Sequence, residues 1–101
     1  MVKIAICAPG KPLKRERSDA LKALVARRSD VWLHFHEQCF LEEGHFAGSD
    51  QVRLAALLEC ANDPGFDAVW FAMGGYGSNR IAAQAVTQMN GAAQTKSYLG
   101  Y

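Results

Sequence analysis

A chain of 101 residues, half of them apolar and 21% charged, with a net charge of +1, has the make-up of one small globular domain. That balance excludes a disordered tail and a strongly basic nucleic-acid binder. No apolar run approaches the ~18 residues that point to a membrane-spanning helix. Three cysteines, Cys7, Cys39 and Cys60, stand too far apart and too irregularly for a disulfide framework or a CxxC metal or redox pair. They are expected as reduced thiols, Cys7 and Cys60 in the core, which suits a reducing, cytoplasmic setting. Val2 to Ala8 is too short for the apolar core of a signal peptide.

The first element is Lys3 to Ala8, KIAICA, a nearly continuous apolar run ended by Pro9, Gly10 and Pro12. Continuous apolarity is how a strand buried on both faces of a parallel sheet reads. From Arg15 to Arg28, Leu21, Leu24 and Val25 recur at helical spacing, with Ser18 or a residue just before it as the expected cap. Seven of the eleven Lys and Arg residues lie between Lys11 and Arg28. No aromatic residues interleave them as stacking platforms, so a solvated helix face is the expectation and phosphate contact the lesser reading.

Val31 to His36, VWLHFH, alternates and is rich in β formers, which marks a second strand. Glu37 to Gly48 shows no clear period. Ser49 followed by Asp50 is a helix start, because serine caps free N–H groups and aspartate suits the positive helix end. Leu54, Leu57, Leu58 and Ala61 form the stripe of that helix, and Asn62-Asp63-Pro64-Gly65 stops it. Ala68 to Met73 is the third strand. Ser78 to Met89 is the third helix, with Ile81, Ala82, Ala85, Val86 and Met89 on one side and Asn90-Gly91 as its stop. Ser97 to Leu99 opens a fourth strand. The alternation predicts an α/β fold, a Rossmann-like or flavodoxin-like parallel sheet of about four strands with three helices on its two faces. A last strand with no helix after it implies a piece of a larger α/β protein, or a subunit that needs a partner.

The chemistry concentrates in one turn. Gly74, Gly75 and Gly77 follow the third strand, and Ser78 opens the helix. Ligands of open parallel sheets sit beyond the carboxyl ends of the strands, where this turn falls. Glycines there permit positive φ and close approach of a ligand to the backbone, and the helix start favours an anion. A dinucleotide fingerprint would need a third glycine where Arg80 stands, and a Walker loop would need Gly-Lys-Ser/Thr; neither is present. A nucleophile elbow fits the logic of a serine on a sharp strand-to-helix turn, although strict GxSxG is absent. On the residues alone, Ser78 stays open between nucleophile and simple helix cap, with an anion- or nucleotide-binding turn as the alternative function.

Taken together, KIAICAPGKP, AGSD at 47–50, NDP at 62–64, AVWFAMGGYGSNRI at 68–81 and SYLGY at 97–101 resemble the LD-carboxypeptidase family over essentially the whole chain. These are cytoplasmic serine peptidases of bacterial cell-wall recycling, with microcin-immunity relatives. The resemblance implies that residues 1–101 are the amino-terminal, nucleophile-bearing domain. It makes Ser78 the catalytic serine, with Gly75 and Asn79 giving backbone donors to the oxyanion and Gly74, Tyr76 and Arg80 beside the substrate. Arg80 reads equally as a solvated or salt-bridged cation. The implied reaction is release of terminal D-alanine from muropeptide tetrapeptides, with a peptide antibiotic as the other possible substrate class. It implies no metal, cofactor, nucleic-acid or membrane partner, and a homodimer for the full-length protein. Met73 stands where the family often has an arginine, which puts that side chain's contact in doubt.

The family's triad partners, a glutamate and a histidine, lie on a carboxyl-terminal domain that this sequence does not contain. The local histidines do not replace them. His34 and His36 lie two apart, so they share one side of the second strand and read as strand-end or surface residues. His45, in the long connection beside Glu42 and Glu43, is the histidine best placed to line a site, although a structural role leads. A zinc site would need a third spaced ligand, which is missing.

Overall fold

The computed structural model describes residues 1–72 and 76–100, and for 76–80 and 100 it describes the course of the backbone only. Four strands, β1 (Val2–Cys7), β2 (Val31–Phe35), β3 (Ala68–Phe71) and β4 (Ser97–Gly100), form one parallel sheet in the order β2-β1-β3-β4. Ile4 of β1 stands opposite Leu33 on one side and Ala68 on the other, so the most apolar run lies in the middle of the sheet. The chain moves one way from β1 to β2 and the other way from β2 to β3 and β4. Right-handed crossovers therefore send the connecting helices to opposite faces.

Side-chain alternation along β1 and β3 builds a separate core on each face. Ala5, Cys7 and Val69 meet Leu57, Cys60 and Ala61 of α2 (Asp50–Asn62), Ile81 and Ala85 of α3 (Tyr76–Gln88), and Ala93 of α4 (Gly91–Gln94). Ile6, Ala8, Phe35 and Ala72 meet Leu13 on the other face, with Leu21 of α1 (Arg15–Val25) packed against them. The predicted α/β class, the four strands and the helices on both faces are all present.

The differences are local. α1 ends at Val25 rather than Arg28, and its N-cap is Lys14, with no side-chain cap bond. Ser18 is a buried interior residue whose hydroxyl donates to the Arg15 carbonyl at 2.8 Å. Leu24 points to water, 70% exposed, so the apolar stripe of α1 is narrower than its spacing suggests. Three of these basic residues are fastened locally: Arg15 lies 4.1 Å from the Phe40 ring centroid, Lys22 lies over Phe35, and Arg28 pairs with Asp30. The last pair holds the Asp30 carboxyl down at about 2. In α3, Ile81 and Ala85 are buried and Met89 packs just beyond the helix end, whereas Val86 is exposed. Asn90 does not close a C-terminus; its side chain accepts from the Ala93 N–H and starts the extra helix α4.

The unperiodic connection contains a short 3₁₀ helix at Glu37–Phe40, capped by His36, whose Nδ1 accepts from the Gln38 N–H at 3.1 Å. It ends at Gly48, where φ is +94° and a Cβ would meet the Val52 side chain at 3.0 Å. Only glycine suits that position, just ahead of the Ser49 cap that accepts from the Val52 N–H.

All three cysteines are free and buried. A hydrogen bond with Cys60, and then burial, hold the Cys7 thiol well above its ordinary range. Burial pushes Cys39 up to about 12, and its Sγ donates to the Ile6 carbonyl at 3.3 Å. The thiolate is the reactive form, so these thiols should resist alkylation at pH 8 in the folded protein. Mass spectrometry after iodoacetamide should find all three unmodified without denaturant and modified in 6 M guanidinium (a concentration of about this size unfolds most domains).

Candidate functional site

The strand order makes one place on the sheet different from the rest. α1 leaves β1 on one face and α3 leaves β3 on the other, so the carboxyl ends of these adjacent strands open a crevice between diverging connections. Open α/β sheets bind ligands at such a reversal. The β3 exit is joined to β1 by the Ala72 N–H, which donates to the Cys7 carbonyl at 2.9 Å. The turn at residues 8–14 therefore stands on one side of the crevice, and Ala72 and the first turn of α3 stand on the other.

Ser78 lies in the first turn of α3, which begins at Tyr76, two residues before the expected start. Met73, Gly74 and Gly75 lie outside the described residues. For Tyr76, Ser78, Asn79 and Arg80 the helical backbone is described and their side chains are not. The topology thus brings the first turn of α3, with Ser78 on it, to the crevice mouth.

The opposite turn is held by two buried polar side chains that sequence reasoning missed. Gln38 treats Ala8 as a strand neighbour would: its Oε1 accepts from the Ala8 N–H at 3.0 Å, and its Nε2 donates to the Ala8 carbonyl at 2.6 Å. The same Nε2 donates to the Ala47 carbonyl at 2.7 Å. Among the described residues, Arg53 reaches acceptors with each of its three nitrogens. Nε donates to the Gly48 carbonyl at 3.1 Å, Nη1 to the Pro9 carbonyl at 2.7 Å, and Nη2 to the Asp50 carboxylate. The guanidinium lies 4.7 Å from the Phe46 ring centroid. The Ala47 N–H closes the structure by donating to the Gly10 carbonyl at 2.8 Å. A signal for Arg53 did exist, because it stands in register with Ala56, Leu57, Cys60 and Ala61 on the buried side of α2. Gln38 gave none, being one polar residue in a polar connection.

The histidines sit elsewhere. His34 is stacked on Trp32 and Phe66, with centroids 6.0 and 5.5 Å away, on the outer part of β2. His36 Nε2 lies 2.5 Å from a Glu59 carboxylate oxygen. Because Nδ1 accepts the Gln38 amide, the Nε2 is the protonated nitrogen and donates to Glu59. Both histidines, with Glu59 and Asp63, border a hollow of about 200 Å³ next to α2, whose other described lining residues are Cys60 and Phe66. His45 is exposed on the turn between Glu43 and Phe46. Among the described residues no three His, Cys, Asp or Glu side chains gather as a metal-binding group. A second hollow, about 260 Å³ and apolar apart from Arg17, lies on the α1 face between Leu13, Leu21, Trp70 and Ala72. No described helix is long and apolar enough to cross a membrane.

Comparison with known proteins gives three findings. The profile described as the LD-carboxypeptidase N-terminal domain matches residues 4–101. Among solved structures, the Microcin C7 self immunity protein MccF, in complex with aspartyl sulfamoyl adenosine, superposes over 99% of this chain with a TM-score of 0.76 at 16% identity, a likeness of fold. A muramoyltetrapeptide carboxypeptidase from Oxalobacter formigenes superposes over 76% of this chain with a TM-score of 0.57 at 28% identity. The chain spans 30% of the length of the first and 25% of the second. Comparison with curated protein sequences returned no match.

Proposed function

The chain belongs to the LD-carboxypeptidase family of serine peptidases, matching its N-terminal domain, and on that premise we propose that it carries the nucleophile of an enzyme that releases terminal D-alanine from muropeptide tetrapeptides. The observation that carries the reading is the coincidence of Ser78, on the first turn of α3, with the crevice where α1 and α3 diverge. Ser78 Oγ attacks the carbonyl that joins the L-centre of the diamino acid to D-alanine. The tetrahedral oxyanion is held by the N–H groups of Gly75 and Asn79, D-alanine leaves with a proton, and water later hydrolyses the acyl-enzyme. Gly74, Tyr76 and Arg80 border the substrate. The glutamate and histidine that move the protons belong to the carboxyl-terminal domain of the family. The full-length protein would act in the cytoplasm as a homodimer.

Incubation with a fluorophosphonate tests this, using the chain joined to a carboxyl-terminal domain that bears the Glu and His. A covalent adduct on the peptide containing Ser78, together with D-alanine release from tetrapeptide, is the expected result. Neither adduct nor release would refute it. Thermal stabilisation by inorganic phosphate without an adduct would favour an anion-binding turn at the helix start. The 101-residue chain alone should show negligible turnover.

A further inference from the structure

Gln38 and Arg53 are two of the three buried polar side chains among the described residues, and each bonds to both the 8–10 loop and the 47–48 loop. β1 ends at Cys7, and beyond His36 the neighbouring chain turns away into the 3₁₀ helix. The backbone at 8–10 therefore has no strand partner on that side, although it is buried. Buried peptide groups must be paired. The Gln38 carboxamide has the donor and acceptor of a peptide group, and it supplies both to Ala8. Arg53 supplies the donor for Pro9. Burying a guanidinium is costly unless its donors are satisfied, and here the three described directions of its fork end on Pro9, Gly48 and Asp50.

We propose that Gln38 and Arg53 form a brace that positions the turn at 8–10 as the fixed wall of the crevice on the side away from the start of α3. The two residues are positioning residues. They set the wall against which an acyl group is presented. The wall itself stands on geometry alone; its consequence for reaction rests on the function proposed above.

Hydrogen exchange of the 101-residue chain, read by NMR, and labelling of Ser78 in the longer protein together test the brace. Arg53→Lys keeps the charge but offers one point donor in place of a planar fork, and Gln38→Glu keeps the shape but loses both described donations. In either variant the Leu13 and Ala47 amides, which bond across the braced loops, should exchange at least about tenfold faster than in the parent. The sheet amides of Ala5 and Val69 should hold their rates (local opening separates from global opening in this way). Labelling of Ser78 should slow about tenfold at a temperature where the variant stays folded, since small misplacement of a positioning element has large effects on rate. Leu33→Ala, a core control on β2, should leave the labelling rate unchanged. Leu13 and Ala47 exchanging only in step with Ala5 and Val69, in both variants, would overturn the brace. So would full recovery of the parent behaviour by lysine at position 53. If the parent itself does not label, the proposed function fails while the exchange result still decides on the brace.

Discussion

Replacing Ser78 by alanine should lower D-alanine release by about 10⁴- to 10⁶-fold in a protein that also carries the family's carboxyl-terminal domain, with little change in melting temperature. The size comes from how serine triads fail. The nucleophile, base and orienting group act as a unit, so loss of the nucleophile alone costs nearly as much as loss of all three. What remains is the help given by the oxyanion donors and by substrate binding, typically ~10³–10⁴ over water. Each tenfold corresponds to about 1.4 kcal/mol of activation free energy, so the expected loss is about 5–8 kcal/mol. Steady-state assay of the amino acid released, with circular dichroism as the control for folding, measures both halves of the expectation. Ser78→Ala retaining more than a hundredth of the parent rate would contradict the assignment of the nucleophile.

The second large effect concerns the helix that carries this serine. Ile81, one turn further along α3, is 1% exposed and packs with Ala5, Cys7, Val69 and Leu57 on the α2–α3 face of the sheet. Ile81→Ala removes three buried carbon atoms and leaves a cavity that the surrounding strands can close only partly. Such changes cost about 2–5 kcal/mol. A domain of this size has about 5–15 kcal/mol in total, so the variant should melt about 10 °C or more below the parent. Val86→Ala, five residues on at a position 69% exposed, should change stability by no more than about 0.5 kcal/mol. Thermal unfolding of the two variants side by side checks the contrast. Equal shifts would mean that α3 does not dock through Ile81.

The same comparison shows where sequence periodicity is informative and where it stops. Ile81 and Ala85 are legible as a buried stripe, and so is the run of Leu57 and Ala61, because helical spacing reports which side of a helix is apolar. Val86 and Leu24 share that spacing yet face water. Whether an apolar position is covered depends on how far the neighbouring sheet extends beneath the helix, which spacing does not encode. Asn90 reads as a stop for a related reason. An Asn-Gly pair ends one helix or begins another according to where its side chain finds a donor, and here the Ala93 amide takes it as a cap.

The amino-acid sequence by itself determined the alternation of strands and helices, the parallel sheet, and the place of Ser78 at the exit of β3, because apolar runs, caps and glycine turns act over a few residues. The tertiary structure alone decided the strand order that sets β1 beside β3, and with it the crevice. It alone also decided the partners of Gln38 and Arg53, which lie 30 and 44 residues away along the chain at Ala8 and Pro9. A buried polar side chain is fixed by the unpaired backbone that folding brings to it, and no local pattern announces that meeting.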